Sequence, residues 1–294
     1  GSCVCSFRFS VLTIVGRLRV NARTRRRSSS SGTESTPVQK LNWHYLSVPH
    51  YPASVRKRET ESLAEGSYRQ FCPVAMGSEI LGSRWTIVLM RELLTGSTRF
   101  NDLRRGVPRM SPALLSKRLK DLEEAGIVKR VASATDPDVQ EYHLTRSGEE
   151  LRPVVMAVGN WGARWVRSEL SLENLDSNLL MWDMRRCLKT DPMPHKKSTI
   201  QFSYTDLPVN QRKYWLIVEP GKDVDVCSVD PGNDVDLFIS VDLRTMTGIW
   251  MGLETVQSAT DKGAMTLVGN RELEQSTQTW LGLSPFALVE RAVP

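Results

Sequence analysis

The segment Arg109–Arg130 (RMSPALLSKRLKDLEEAGIVKR) constrains the fold more than any other part of the chain. Three leucines recur on one face at helical spacing: Leu115, Leu119 and Leu122. Ser111 followed by Pro112 is typical of a helix N-terminus, and Gly126 is placed to end the helix. The segment therefore predicts a helix with one face buried against other elements.

The other face of this helix carries small residues first and basic residues later: Ala113, Ser116, Lys117 and Lys120. Acidic residues are confined to its last turn. A helix that enters the DNA major groove needs short or hydrogen-bonding residues near its N-terminus and basic residues where phosphates pass. The alternative is a solvated helix whose lysines only confer solubility.

The flanking sequence favours the DNA-binding interpretation. Residues 71–96 have helical apolar spacing, and residues 98–108 predict a short helix whose Arg104 and Arg105 would cross the DNA backbone. Two short strands joined by a turn-rich loop follow the central helix: Ile127–Ala132 and Gln140–Thr145. Helices followed by a two-stranded hairpin predict a winged helix.

Specific motifs carry a family resemblance over about Tyr68–Val166. They are Cys72-Pro73-Val74, Gly82-x-Arg84-Trp85, Arg99-Phe100-Asn101-Asp102-Leu103, Ser111-Pro112 with Leu115-Ser116-x-Arg118-Leu119, and Glu141-Tyr142-x-Leu144-Thr145. This region resembles the HxlR-type winged helix-turn-helix transcription regulators. The resemblance implies homodimeric repressors or activators that bind near-palindromic operators in double-stranded DNA.

By this resemblance, the helix Ser111–Ala125 enters the major groove. The candidate DNA-binding residues are Arg104, Arg105, Ser111, Ala113, Ser116, Lys117, Arg118 and Lys120. Arg118 lies beside the core face, so bracing the fold is its alternative role. Ala113 stands where family members often carry Lys or Arg. The hairpin tip also departs from the family, because it reads Asp136-Pro137-Asp138-Val139 and should be repelled by phosphates.

Residues 145–166 (TRSGEELRPVVMAVGNWGARWV) predict one long helix with a broad apolar face between Leu151 and Trp165. The resemblance implies that this helix forms the homodimer, although the C-terminal part of the chain could compete for the face. In some family members the cysteine that matches Cys72 is a sensor of thiol-reactive compounds, so the resemblance implies this role for Cys72. The alternative role is a buried small apolar residue near the dimer interface.

Residues 191–294 predict an α+β domain built on an antiparallel sheet, joined to residues 67–170 by a polar helix or linker at 171–190. The segments Val235–Gly252 and Gly263–Leu283 resemble the sterol-carrier-protein-like fold, which implies a small apolar or lipid-like effector. Six residues are candidates for lining its pocket: Ile249, Trp250, Met251, Met265, Leu267 and Trp280. Filling an ordinary core is the alternative role for each.

Charge separates the two halves of the chain. Residues 1–130 contain 23 Lys and Arg against 10 Asp and Glu, whereas residues 131–294 contain 16 against 23. A basic half suggests a polyanion as partner, and an ordinary solvated surface is the alternative. Residues 1–66, basic and serine-rich at Arg23–Pro37, are expected to be a disordered tail or a mis-assigned start, since the first methionine is Met76.

No catalytic set, cofactor motif, metal-ligand spacing or membrane span is evident, so we expect a protein that is not an enzyme. The odd, scattered cysteines suit a reducing cytoplasm, and the family resemblance implies a bacterial or archaeal, nucleoid-associated protein. Cys3 and Cys5 form the one close cysteine pair, within the tail. Two functions remain open: a DNA-binding transcriptional regulator, and a lipid-carrier or binding protein whose winged helix serves dimerisation or protein contacts.

Overall fold

The computed structural model describes residues 67–293, with the backbone alone at positions 170 and 171. The expected tail, residues 1–66, lies outside the described residues. The first half contains, in chain order, α1 (Pro73–Leu81), α2 (Thr86–Leu94), α3 (Phe100–Gly106), α4 (Pro112–Glu124), β1 (Val128–Ala132), β2 (Gln140–Leu144), α5 (Arg146–Glu149) and α6 (Arg152–Trp165). The predicted order of helices followed by a hairpin is confirmed.

Helix α4 has the local signals that its sequence predicted. The Ser111 hydroxyl accepts a hydrogen bond from the Leu114 amide at 3.3 Å, which satisfies one of the free N–H groups of the first turn. After the helix, Gly126 has a φ of +71°, a conformation that glycine adopts without steric cost. The three predicted leucines of α4 are buried in one hydrophobic cluster with residues of α2 and α3.

The stretch 71–96 is two helices rather than one, because the chain turns between α1 and α2. Trp85 has a φ of +78°, which is uncommon for a bulky residue. The turn is held from α4, since Arg118 Nε donates a hydrogen bond to the Arg84 carbonyl at 3.3 Å. Helical spacing on both sides of the turn concealed it in the sequence.

The stretch 145–166 also contains a break that its periodicity did not predict. The Thr145 side chain accepts a hydrogen bond from the Gly148 amide and so begins the short helix α5. Pro153 lies in the first turn of α6. Proline has no amide proton and clashes with the preceding turn, so a single helix through this position is unfavourable.

The second half contains α7 (Ser168–Glu173), α8 (Ser177–Cys187), β3 (Ser198–Tyr204), a 3₁₀ turn (Val209–Gln211), β4 (Lys213–Val218), β5 (Asp225–Cys227), β6 (Leu237–Val241), α9 (Leu243–Trp250), α10 (Val256–Asp261), β7 (Met265–Gly269) and α11 (Arg271–Trp280). Within the described residues, the strands of this half form a five-stranded sheet in the order β5-β4-β3-β6-β7.

This sheet is mixed, so the prediction of an antiparallel sheet is wrong at one pair of strands. β3 and β6 are parallel, with Phe202 opposite Ile239, whereas the other neighbouring strands are antiparallel. After β5, at one edge, the chain crosses to the far side of β3 before it forms β6. Alternating apolar residues indicate strands but carry no information about their relative direction.

Helix α8 occupies the segment that was expected to be a polar helix or linker, but it is largely buried. Leu180, Met181 and Met184 pack in the hydrophobic cluster that includes the inner face of the sheet. Trp182, also buried, is turned away from that cluster and contacts the winged helix. The helix therefore joins the two halves, which belong to one compact unit of the chain.

Candidate nucleic-acid interface

The face of α4 that lies opposite its buried leucines is open to solvent. Its residues are exposed throughout: Ala113, Ser116, Lys117 and Lys120. Lys117 makes no ion pair or hydrogen bond with any residue in 67–293, and Lys120 Nζ lies 3.9 Å from a Glu124 carboxylate oxygen with its side chain 75% exposed. An exposed pair of this length holds a lysine weakly. Both ammonium groups are therefore available to a polyanion.

Arg118 makes the contacts that its alternative role, bracing the fold, requires. In addition to the hydrogen bond to the Arg84 carbonyl, its Nη1 donates to Asp121 at 2.8 Å, and its side chain is only 19% exposed. The guanidinium thus ties α4 to the turn between α1 and α2. It is a poor candidate for direct DNA contact, because binding a phosphate would require it to leave these partners.

The two arginines of α3 differ in their surroundings. Arg104 is exposed, without an ion pair among the described residues, and lies next in sequence to the buried Leu103. The guanidinium carbon of Arg105 lies 5.1 Å from the centre of the Trp182 ring, and its Nη1 is 3.8 Å from Asp102. Arg105 is therefore partly engaged with α8, and Arg104 is the freer of the two predicted DNA-backbone contacts.

One charged cluster fixes the loop end of the β1–β2 hairpin, just before its tip. Arg99 Nε donates to Glu141 at 3.2 Å, and its Nη2 donates to the hydroxyls of Ser133 and Thr135. The Ser133 hydroxyl also donates to Glu141 at 2.7 Å. The hydrogen bonds from Ser133 and Arg99 hold the pKa of Glu141 below its ordinary value. The hairpin is thus held firmly against the start of α3.

The tip of the hairpin, by contrast, presents acids to solvent. Asp136 and Asp138 are exposed, and the Asp138 amide donates to the Asp136 carboxylate at 3.3 Å. The basic residues Lys129 and Arg130 lie exposed on β1, away from the tip. This distribution agrees with the expectation that the tip does not approach phosphates closely.

Helix α6 presents an apolar stripe that the described residues leave uncovered. Four large side chains one or two turns apart are between 43 and 63% exposed: Val154, Val158, Trp161 and Trp165. The other side of the helix is covered. Leu151 and Val155 pack against the winged-helix core, and Phe286 lies so close to Gly159 that no side chain would fit there.

The cover at the end of α6 comes from the C-terminal segment, residues 284–293. The Ala292 amide donates to the Arg164 carbonyl at 2.8 Å, and Arg291 Nη1 donates to the Ala163 carbonyl at 3.2 Å. These bonds satisfy carbonyls that the end of a helix leaves free. The second half of the chain therefore competes for one side of α6, as the sequence suggested, and leaves the stripe open.

A buried carboxylate that sequence reasoning missed joins the winged helix to α8. Glu92 of α2 is fully buried and accepts hydrogen bonds from the Trp182 indole at 2.8 Å, the Ser97 hydroxyl at 2.6 Å and both terminal nitrogens of Arg186. Burial alone would raise the pKa of Glu92, but the Arg186 charge and hydrogen bonds, with those of Ser97 and Trp182, hold it below the ordinary value.

Arg91 and Asp183 extend this joint. Arg91 Nη1 donates to Asp183 at 3.0 Å, and its Nη2 donates to the Gly106 carbonyl at 2.9 Å. A side chain on Gly106 would collide with the Glu92 carboxylate, so α3 can approach the joint only with glycine there. One signal was visible in the sequence: Glu92 is the sole acid within the apolar run of α2.

The remaining candidates lie elsewhere. Cys72 is half-buried and precedes α1, whose N-terminus receives no hydrogen bond from its side chain. Five of the six pocket candidates (Ile249, Trp250, Met251, Met265 and Trp280) belong to or pack against the core of the second half. Leu267 also contacts that core and lines a groove of about 530 Å³ with Val256 and Gln278. The apolar pocket stays a prediction.

Among residues 67–293, no cluster of His, Cys, Asp and Glu is arranged to hold a metal ion. Cys3 and Cys5 lie outside this range. In the same range, no helix combines the length and the apolar character that crossing a bilayer demands.

The helix pair α3–α4, followed by the β1–β2 hairpin, defines the winged helix-turn-helix class of domain. The model of the family "HxlR-like helix-turn-helix" matches residues 80–170. The uncharacterized HTH-type transcriptional regulator YvaP of Bacillus subtilis is 36% identical over 98 residues, covering 33% of this chain and 91% of YvaP. The chain therefore belongs to the HxlR-like helix-turn-helix family.

Two further similarities cover the same part of the chain. The uncharacterized HTH-type transcriptional regulator YybR of Bacillus subtilis is 32% identical over 118 residues, covering 40% of this chain and 92% of YybR. The reduced form of the transcriptional regulator YodB from B. subtilis is 30% identical, with a TM-score of 0.28, covering 32% of this chain and 92% of that one. The family model ends at residue 170, and the sterol-carrier-like resemblance beyond it stays a prediction.

Proposed function

We propose that this protein is a DNA-binding transcriptional regulator in which α4 enters the major groove. The observation that carries the proposal is the open face of α4, where Lys117 and Lys120 are exposed opposite leucines that fix the helix to the core. Ala113 and Ser116 leave room for base edges near the N-terminus of the helix. Membership of a family whose relatives are HTH-type transcriptional regulators supports the same function.

Phosphate contacts in this proposal come from Lys117, Lys120 and Arg104, with Arg105 limited by its contact with Trp182. Arg118 braces the helix instead of binding DNA. The acidic tip at Asp136 and Asp138 makes a weak contribution, or the hairpin approaches the duplex along β1, where Lys129 and Arg130 are exposed. Most of the electrostatic attraction would then come from α3 and α4.

We further propose that the protein acts as a homodimer on a near-palindromic operator. The exposed stripe of α6 is an apolar surface that a second copy of the chain would cover, and exposed apolar patches of this kind mark interfaces. Two copies of α4 would then read half-sites about one helical turn, or about 34–36 Å, apart. A protected footprint with two such halves would support the pairing.

The decisive experiment is a gel-shift titration of the full chain against the upstream region of its own gene at about 50 and about 200 mM salt. A regulator should bind specifically, in the nanomolar range, with a steep dependence on salt. The double variant Lys117→Ala with Lys120→Ala removes two phosphate contacts, so the slope of log affinity against log salt should decrease by about two units.

The matched control is Lys189→Ala with Lys213→Ala, which removes the same charge from exposed positions in the second half. Its affinity and salt slope should stay close to those of the unmodified protein. Equal behaviour of the two double variants would show that α4 does not face the duplex. Circular dichroism of both variants confirms that the fold is intact.

The competing function is a lipid carrier whose winged helix serves protein contacts. The acidic hairpin tip favours it, whereas the packing of Ile249, Met265 and Trp280 into the core argues against a large apolar tunnel. As part of the regulator proposal, a small apolar effector would bind near Leu267. Titration with a fluorescent fatty acid tests the carrier function and the apolar effector site together. Stoichiometric uptake without specific DNA binding would favour the carrier.

Cys72 is proposed as a redox-responsive thiol of this regulator. It is half-buried, forms no disulfide within the described residues and stands directly before α1. Treatment with diamide should then change DNA affinity in the unmodified protein and leave the Cys72→Ser variant unaffected. An equal response in both proteins would assign the effect to another cysteine.

A further inference from the structure

A cleft lies between the winged helix and the second half of the chain, next to the joint formed by Glu92 and α8. Its volume is about 470 Å³, and its walls are the loop before α3, the end of α8 and the loop between β4 and β5. Sites for small molecules are commonly clefts of about 300–1,000 Å³ between domains. The volume of this cleft falls within that range.

The charged side chains that line the cleft are predominantly basic. They are Arg99, Arg185, Arg186, Lys222, Asp102 and Asp223. Three of the four cations already have an anionic partner: Arg186 contacts Glu92, Lys222 contacts Glu219, and Arg99 contacts Glu141. Arg185 forms no ion pair with any residue in 67–293, although the carboxylates of Asp102 and Asp223 also line the cleft.

Arg185 is also poorly satisfied as a hydrogen-bond donor. It is half-buried, and its guanidinium carbon lies 3.6 Å from the centre of the Trp182 ring. Its Nη1 reaches the Val224 carbonyl only at 3.5 Å, and its buried Nε has no partner among the described residues. Burial first, and then the neighbouring charge of Arg186, lower the pKa of Arg185 against the opposing charges of Asp102 and Glu92.

No carboxylate lies within ion-pair distance of this guanidinium among the described residues, and only the more distant charges of Asp102 and Glu92 offset its loss of hydration. Stacking on Trp182 fixes the plane of the guanidinium, and a fixed plane suits the two oxygens of a carboxylate or phosphate group. Lys222 is 71% exposed at the mouth of the cleft, where it can add a second positive charge. A guanidinium held in this way can bind a small oxyanion.

We propose that the cleft binds a small polar ligand through a carboxylate or phosphate group, with Arg185 as its principal contact. This site is distinct from the apolar effector site near Leu267, and ligand binding to it does not depend on DNA binding. The ligand would also lie next to Arg99, which holds Glu141, Ser133 and Thr135 at the loop end of the hairpin.

The test is isothermal titration of the full chain, without DNA, with inorganic phosphate and with malonate, using chloride at equal ionic strength as the reference. Saturable binding of phosphate or malonate beyond the chloride effect is the expected result, and the stronger of the two identifies the preferred oxyanion. Arg185→Gln should weaken that binding at least about tenfold, since it removes a charge-assisted hydrogen bond. Arg271→Gln, at an exposed site outside the cleft, should leave it unchanged.

A second variant keeps the test valid if Arg185→Gln disturbs the packing of Trp182. Lys222→Gln changes an exposed side chain and should weaken binding about threefold, with the melting temperature of the free protein unchanged. Phosphate and malonate that act no differently from chloride would overturn the proposal. So would a folded Arg185→Gln variant that binds as tightly as the unmodified protein.

Discussion

Replacing Glu92 by alanine should destabilise the protein more than any surface substitution. The change leaves the Arg186 guanidinium, whose side chain is 9% exposed, with Asp183 at 3.5 Å as its nearest remaining anion. It also leaves the buried Trp182 indole without its acceptor. Removing one partner of a buried ion pair costs about 3–5 kcal/mol, which is a large part of a typical total stability of about 5–15 kcal/mol.

The measurement is equilibrium unfolding in urea, followed by tryptophan fluorescence and by circular dichroism. Glu290→Ala, at an exposed position, is the matched control and should change the free energy of unfolding by less than about 0.5 kcal/mol. Glu92→Gln keeps the volume of the side chain, so its free energy of unfolding should decrease less than that of Glu92→Ala. A loss below about 1 kcal/mol in Glu92→Ala would refute the inference that this carboxylate holds the joint together.

Protonation of the Glu92 carboxylate should make the stability of the folded protein depend on pH in a defined direction. Arg186, Ser97 and Trp182 outweigh the effect of burial and keep the pKa of Glu92 in the folded protein below the ordinary 4.5. The stabilisation is therefore complete above pH 4.5 and is lost as the pH falls through the lower folded-state value. The stability difference between the unmodified protein and Glu92→Gln should accordingly shrink in acid, and a difference that grew would contradict the assignment.

Three further predictions concern the helices around the proposed interface. Arg118→Ala should lower stability by about 1–3 kcal/mol, because it frees the turn before α2, whereas Lys117→Ala should leave the melting temperature unchanged. Trp161→Ser should shift the sedimenting species towards the monomer with an unchanged circular dichroism spectrum; a persistent dimer would place the interface elsewhere. Gly159→Val should displace residues 284–293, which would then be cleaved faster in limited proteolysis; equal rates would show that their position does not depend on Gly159.

The winged helix was predictable because its signals are local. The Ser111 cap, the leucines of α4 and the glycine after it lie within one segment, and each agrees with the next. The order of helices and hairpin follows from periodicity alone. The breaks before Thr86 and Arg152 were not predictable in this way, because the apolar spacing continues across both of them.

What the sequence did not reveal depends on contacts between distant positions. Glu92 and Arg186 are 94 residues apart, and each alone resembles an ordinary charged residue of a helix. The parallel pairing of β3 and β6 likewise has no local signal. The candidates on α4 stay DNA-binding predictions, although the exposure of Lys117 and Lys120 agrees with that role. Arg118, the next residue after Lys117, lies instead beside the core face and hydrogen-bonds to the Arg84 carbonyl.

The position of the joint has a consequence for how the chain can be divided. A fragment cut after residue 170, where the family model ends, would retain Glu92 but lose Trp182 and Arg186, which neutralise and shield it. In the excised piece Glu92 would keep only Arg91 and Ser97 as partners, and the surface that α8 covers would be exposed to solvent next to α3. The predicted DNA-binding surface would therefore keep its sequence, but the packing that supports it would be weaker.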